Sequence, residues 1–129
     1  MLDVDVIGSA LPEAQVRQAC ALAAASAGVA EAHVAVEFVG AERIAELNLA
    51  HRGKEGPTDV LSFPVDEDEA FGPRELGDVV ICPEHTEDLL EAVVHGVLHL
   101  TGMDHETDDG EMLAVQAEIM SWVSPDPEP

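Results

Sequence analysis

Three of the six histidines in this chain lie in one short segment, HGVLHLTGMDH, which runs from His95 to His105. Residues four apart share a helix face, so His95 and His99 can direct both imidazoles at one ion. Gly102 then favours a helix end from which the chain can return His105 to that ion. Three histidines that leave a fourth position for water predict a catalytic site with one Zn²⁺ per chain. The alternative is three separate polar histidines.

The residue after the first histidine is Gly96, and it limits the reactions that the site can catalyse. The HxxxHxxGxxH spacing is that of the metzincin proteases, in which a glutamate directly after the first histidine acts as general base. Because glycine has no side chain, peptide hydrolysis by that route lacks its base, and a metalloprotease stays only as an alternative. Glu91, one turn before His95, either orients that histidine or is a solvated helix carboxylate.

A second group of reactive residues lies upstream, in LNLAHRGKEGPTDVLSFPV from Leu47 to Val65. Arg52 and Lys54 are two of only five basic residues, against 27 acidic ones. A guanidinium binds phosphate oxygens in a planar, bidentate manner and stabilises charge on a phosphoryl group. The pair therefore predicts a local phosphate-binding site, with a solvated turn as the alternative. His51 and Asp59 are further candidates for proton transfer.

The segments LNLAHRGKEGPTDVLSFP, LGDVVI and HGVLHLTGMDH resemble, in this order, the three signatures of the YbeY family of bacterial metal-dependent endoribonucleases. The resemblance implies a single YbeY-like α/β metallohydrolase domain with zinc that acts on single-stranded RNA. It implies a role in ribosomal RNA maturation, notably at the 3′ end of the small-subunit RNA, and in ribosome quality control. It also implies that His95, His99 and His105 bind the metal and that Arg52 is a functionally important arginine. We expect Arg52 to be catalytic and the neighbouring Lys54, part of the same positive spot, to bind substrate.

The mechanism implied by this resemblance has two versions. The metal either activates water or polarises the scissile phosphate, while Arg52 stabilises the developing phosphoryl charge. Zinc lowers the pKa of bound water towards about 7, so a base at residue 96 is not required. Attack by the RNA 2′-OH would leave a cyclic phosphate and attack by water would not; both are open. The alternative to an enzyme is a noncatalytic ribosome-assembly factor with a structural metal.

The elements that must position these residues follow the order β-α-β-α-β-β-α-α. This order indicates an α/β (or α+β) fold with a single mixed sheet of about four strands and helices packed against it. The predicted strands are LDVDVI, AHVAVEFVG, TDVLSFPV and GDVVI. The predicted helices begin at Pro12, Ala41, Thr86 and Asp108, and the third is a zincin-like metal helix. We expect one domain over residues 1–129 with a short disordered tail at 124–129.

The composition limits the possible partners. A net charge of −22 argues against extended contact with a phosphate backbone, and the 3% aromatic content argues against a base-stacking platform. RNA binding would then depend on a local site or on a partner such as the ribosome or its small subunit. The sequence predicts no membrane segment, no export signal and no small-molecule cofactor, and it favours a cytoplasmic protein. Cys20 and Cys82 are predicted to be buried thiols, with a disulfide as the alternative.

Overall fold

The structure, a computed structural model, describes residues 2–8, 10–29, 31–65, 74–103 and 110–122. Four strands and four α-helices lie within these ranges, in the predicted order. They are β1 (Leu2–Ile7), α1 (Glu13–Ser26), β2 (Ala32–Phe38), α2 (Ala41–Arg52), β3 (Val60–Pro64), β4 (Arg74–Ile81), α3 (Leu89–Leu100) and α4 (Glu111–Trp122). No helix in the described ranges is long and apolar enough to cross a membrane.

The four strands form one mixed sheet in the order β1-β2-β4-β3, which confirms the predicted fold class. Strands β1, β2 and β4 are parallel, and β3 pairs antiparallel with β4 at the edge. Pro64 ends the edge strand β3, as predicted, because a proline there removes no hydrogen bond from the interior of the sheet. The edge strand β3 lies next to α3.

A β-bulge in β4 explains why the LGDVVI segment contains a glycine. His33 pairs with Glu75 and Val34 pairs with Gly77, so Leu76 is an extra residue in the ladder. Gly77 has a φ of 128°, and a Cβ there would overlap the carbonyl oxygen of Phe63 on β3. Only glycine meets both requirements, because other residues rarely adopt this backbone conformation.

Helices cover the two faces of the sheet unequally. Helices α1, α3 and α4 pack on one face, where they form the main core with alternate residues of β1, β2 and β4. Helix α2 covers the β3–β4 half of the other face through a smaller cluster built on Ile44. The predicted apolar stripe of α3 is confirmed, since Val93, Val94, Val97 and Leu98 are fully buried. Burial of each such side chain stabilises the fold by about 1.5–3 kcal/mol.

The predicted start of the third helix at Thr86 is wrong by three residues. Pro83–His85 form a 3₁₀ turn, and Thr86 is extended, with its hydroxyl donating to the Cys82 carbonyl at 2.7 Å. Helix α3 begins after Asp88, whose carboxylate caps it by accepting from the Glu91 N–H at 3.1 Å. The predicted start of β4 at Gly77 is likewise three residues late. The predicted start of the last helix at Asp108 and the predicted tail at 124–129 lie outside the described residues.

Both cysteines are free and buried, as predicted. Burial raises the pKa of the Cys20 thiol to about 12, so this side chain behaves as a small apolar group in the main core.

On the sheet face opposite α1 and α3, His33 of β2 links three strands. Its Nε2 lies 2.8 Å from Asp5 Oδ2 on β1, and its Nδ1 lies 2.7 Å from Glu75 Oε1 on β4. These two carboxylates raise the pKa of His33, Asp5 more than Glu75, while burial acts in the opposite direction. When it is protonated, the His33 ring offsets part of the negative charge on this face.

Candidate metal centre

Helix α3 brings together two of the three predicted metal ligands. His95 and His99 are half-buried one turn apart, and their Nε2 atoms lie 3.2 Å from each other. The rings are nearly perpendicular, at 79°. His105 lies outside the described residues, and within those residues no group of three or more metal-binding side chains occurs. Its place as third ligand stays a prediction.

The end of α3 fixes the orientation of His99. Gly102 has a φ of 103° and follows the last helical turn, as predicted. The turn brings the Met103 carbonyl oxygen to 3.0 Å from His99 Nδ1. A carbonyl oxygen only accepts, so Nδ1 is the donor, and the neutral ring carries its lone pair on Nε2.

A glutamine on α4 makes the matching contact with His95. Gln116 Oε1 lies 2.7 Å from His95 Nδ1, so this ring too donates from Nδ1 and directs its Nε2 lone pair towards His99. Two nitrogen lone pairs at 3.2 Å repel each other unless a proton or a metal ion lies between them. Neighbouring nitrogen ligands of tetrahedral zinc, each about 2.0–2.1 Å from the ion, lie roughly 3.3 Å apart. The pair therefore fits zinc in both chemistry and spacing.

Gly96 points away from the histidines and towards the sheet. It is buried, and a Cβ there would lie 2.5 Å from Cγ1 of Val79 on β4. Its carbonyl oxygen accepts a hydrogen bond from the Ser62 hydroxyl on β3 at 3.2 Å. Because of this packing of α3 on the sheet, a side chain at residue 96 would have to displace Val79. A glutamate there, the base of the protease pattern, has no room.

The histidine pair lines an open cleft of about 1130 Å³ between α2, β3, the loop before α3, and α4. Arg52, at the exposed end of α2, lines the same cleft, so the structure unites the two motifs that the sequence separates by more than forty residues. Lys54 lies in the exposed turn after α2 and does not line the cleft. Its predicted contact with substrate stays a prediction.

Local contacts hold the Arg52 segment in place. Gly53, with a φ of 69°, ends α2, and the buried Asn48 donates from Nδ2 to the Gly56 carbonyl at 2.9 Å. Asp59 accepts from the Val60 N–H at 2.8 Å, which favours a role as an anchor of the strand start. His51 lies with its ring 4.3 Å from that of Phe63. His51 and Asp59 both line the cleft, where proton transfer by either stays a prediction.

The sequence analysis missed Gln116 as the residue that orients His95. Glu91, which the sequence left between an orienting role and a solvated carboxylate, is exposed and lines the cleft, whereas Gln116 Oε1 lies 2.7 Å from the His95 ring. A signal was present, because Gln116 is polar yet lies four residues from Met112 and from Met120 on the inner face of α4. A polar residue on an apolar face requires a partner when it is buried.

Comparisons with known proteins point to one family. The family described as Endoribonuclease YbeY matches residues 7–124. A protein of that name from Rubrobacter xylanophilus is 48% identical over 95 residues, 70% of this chain and 67% of the relative. One from Bacillus licheniformis is 35% identical, over 94% of this chain and 93% of the relative. The solution structure of TM1509 from Thermotoga maritima is 28% identical with a TM-score of 0.60, and the match covers 98% of this chain and 99% of that one.

The aligned part spans only 57% to 67% of the length of several of the most similar curated relatives. The family match nevertheless covers nearly all of this chain, and it includes the histidine pair, Gly96 and Arg52. The chain belongs to the endoribonuclease YbeY family.

Proposed function

We propose that this protein is a zinc-dependent endoribonuclease that cleaves single-stranded RNA. The observation that carries the proposal is the convergence of His95 and His99 at 3.2 Å in a cleft that Arg52 also lines. Its family supports RNA as the substrate. By the same resemblance, we assign its biological role to cytoplasmic maturation of ribosomal RNA, at the 3′ end of the small-subunit RNA, and to ribosome quality control, with the ribosome or its small subunit as partner.

His95 and His99 would hold the metal, with His105 as third ligand from the segment beyond α3. A zinc ion bound by these neutral imidazoles supplies Lewis acidity, which polarises a phosphoryl oxygen and makes water more acidic. The side chains around it have separate tasks. Gln116 and the Met103 carbonyl hold the two rings with Nε2 facing the cleft.

Arg52 binds and stabilises the phosphoryl group. The planar fork of its cationic guanidinium matches two phosphate oxygens. The last turn of α2 suits a cation, because helix carbonyls there carry partial negative charge. Lys54, two residues further along, adds a second positive charge for the RNA backbone outside the cleft.

No glutamate base is available at residue 96, so the nucleophile must lose its proton elsewhere. Asp59, His51, His85 and Glu91 line the cleft and can accept a proton. The nucleophile is either the RNA 2′-OH or water. End-group analysis of the products separates these, since only 2′-OH attack leaves a cyclic phosphate that persists until it is hydrolysed.

The decisive experiment combines metal analysis of the purified protein with cleavage of a single-stranded RNA oligonucleotide. We expect about one zinc per chain, loss of cleavage with a chelator, and recovery when zinc is returned. Double-stranded RNA and casein serve as controls, and neither should be cut. Full RNA cleavage after complete removal of the metal would overturn the mechanism, and cleavage of casein in place of RNA would favour the protease.

A further inference from the structure

We infer that Gln116 is a positioning residue: it holds His95 in the form that binds metal, and it makes zinc affinity depend on the docking of α4. The inference deepens the proposed function and rests on the metal site within it. It starts from a contact between two helices, the 2.7 Å approach of Gln116 Oε1 on α4 to His95 Nδ1 on α3.

The place of Gln116 in the fold calls for such a role. Its side chain is only 9% exposed, and its helix neighbours Met112 and Ile119 are fully buried in the main core. An amide in this position costs free energy unless it is hydrogen-bonded, and an apolar residue would pack there without that requirement. The contact with His95 satisfies the amide oxygen. It therefore accounts for a polar residue on the inner face of α4.

The two histidines differ in what fixes them. His99 donates to the Met103 carbonyl, a backbone atom at the end of its own helix. No side-chain substitution removes that contact. The Nδ1 atom of His95 instead contacts a side chain from a different helix, and without that contact the ring can carry its proton on Nε2, the atom that must bind metal. The candidate metal centre is therefore sensitive to the docking of α4.

The neutral amide also sets the charge of the centre. The amide of Gln116 would offset none of the charge of a bound zinc ion, whereas a carboxylate there would offset one unit of it. A bound ion would therefore keep its attraction for an anionic phosphodiester and its effect on the acidity of nearby water. A carboxylate would make His95 a more basic ligand and hold the metal more tightly.

Three substitutions test the inference. Gln116→Leu removes the acceptor, Gln116→Asn keeps an amide but shortens its reach, and Gln116→Glu provides a carboxylate. Gln18→Leu, on the exposed side of α1, is the matched control. Zinc affinity is measured by chelator competition. The His95 tautomer is measured in the metal-free protein by nitrogen NMR, at a pH above the ordinary histidine pKa of about 6.5.

We expect Gln116→Leu and Gln116→Asn to weaken zinc binding by about 10–100-fold. In both variants the proton of His95 should shift partly to Nε2. Gln116→Glu should bind zinc more tightly than the parent and keep the proton on Nδ1. Gln18→Leu should change neither measurement. A purely structural role would lower stability without moving the tautomer. Should the Leu variant not fold, the Asn and Glu variants give the same contrast.

Unchanged zinc affinity and an unchanged tautomer in Gln116→Asn would overturn the inference, even if the parent protein binds zinc and cleaves RNA. A parent protein that binds zinc but does not cleave RNA would instead overturn the proposed function and leave the role of Gln116 standing. A parent that binds no zinc would overturn both.

Discussion

Gly96 packs directly on Val79 where α3 crosses β4, with space for a hydrogen atom and not for a methyl group. The same glycine directly follows His95, the first histidine of the candidate metal centre. The fold therefore leaves the position of the protease base without a side chain for a reason of packing, and the chemistry of the cleft has to work without that base. Sequence and structure agree that residue 96 separates this site from the metzincin pattern, and the structure adds the physical cause.

Replacing Gly96 with alanine should destabilise the protein by about 1–3 kcal/mol, the usual cost of overpacking a core. The better helix propensity of alanine, about 1 kcal/mol, offsets part of this cost. Urea unfolding measures the change. In the double variant with Val79→Ala, which makes room at the contact, the cost of Gly96→Ala should nearly vanish. A Gly96→Ala variant as stable as the parent would contradict this packing.

Replacing Arg52 with alanine should lower the turnover of RNA by about 10²–10³-fold, because one charge-stabilising donor is lost. Bound zinc should stay near stoichiometric, since Arg52 is not a ligand. Arg52→Lys should recover only part of the rate, because lysine keeps the charge and loses the planar fork. Arg43→Ala is the control, since Arg43 lies on the same helix and does not line the cleft. Loss of metal from Arg52→Ala would refute the assigned role.

Replacing His99 with alanine separates a catalytic metal from a structural one. The main core that holds α3 consists of apolar side chains on the opposite side of the helix from the histidines. We therefore expect a folded protein, with a near-parental circular dichroism spectrum, that neither retains zinc nor cleaves RNA. An unfolded protein would instead support the ribosome-assembly factor with a structural metal. Thr101→Ala, at the end of the same helix, controls for damage to α3 itself.

The charge of the chain predicts an unusual salt dependence for RNA cleavage. If Arg52 and Lys54 contact two phosphates of a single strand, a plot of the logarithm of RNA affinity against the logarithm of salt concentration should have a slope of about −1.4. The chain has a net charge of −22 and repels RNA, and salt weakens this repulsion by screening it. The screening makes the slope less negative. The observed slope should lie between zero and about −1.4. Oligonucleotide KM values across a salt series measure it, and a much steeper slope would reveal a larger basic surface.

Much of the fold was predictable because local signals and packing agree. The alternating pattern of β1 and the apolar stripe of α3 predicted both elements, and Pro64 correctly marked the edge of the sheet. The start of α3 was not predictable from periodicity alone. The pattern could not show that Thr86 bonds back to Cys82 and that Asp88 provides the cap.

The site was predictable only where its residues are close in sequence. The spacing of His95 and His99 predicted their convergence, because helix geometry fixes it. The contact between Gln116 and His95 spans two helices and depends on how α4 docks, which no local pattern contains. The sequence showed that Gly96 lacks the side chain of a protease base. Its close contact with Val79 on β4 could not be predicted, because it depends on how α3 packs on the sheet.

The hydrogen bonds that His33 makes to Asp5 and Glu75 predict that the free energy of unfolding falls as the pH rises. Hydrogen bonds to Asp5 and then Glu75 raise the pKa of His33 in the folded protein above its unfolded value of about 6.5. The stabilisation is fully present below the unfolded pKa and is lost as the pH rises through the folded pKa, because a neutral ring cannot donate to both carboxylates. His33→Gln should therefore destabilise the protein more at a pH below the unfolded pKa than at an alkaline pH at which the folded ring is neutral. Urea unfolding at both pH values checks this, with the exposed His85→Gln as control. An equal loss at both values would show that His33 contributes by packing and not by its charge.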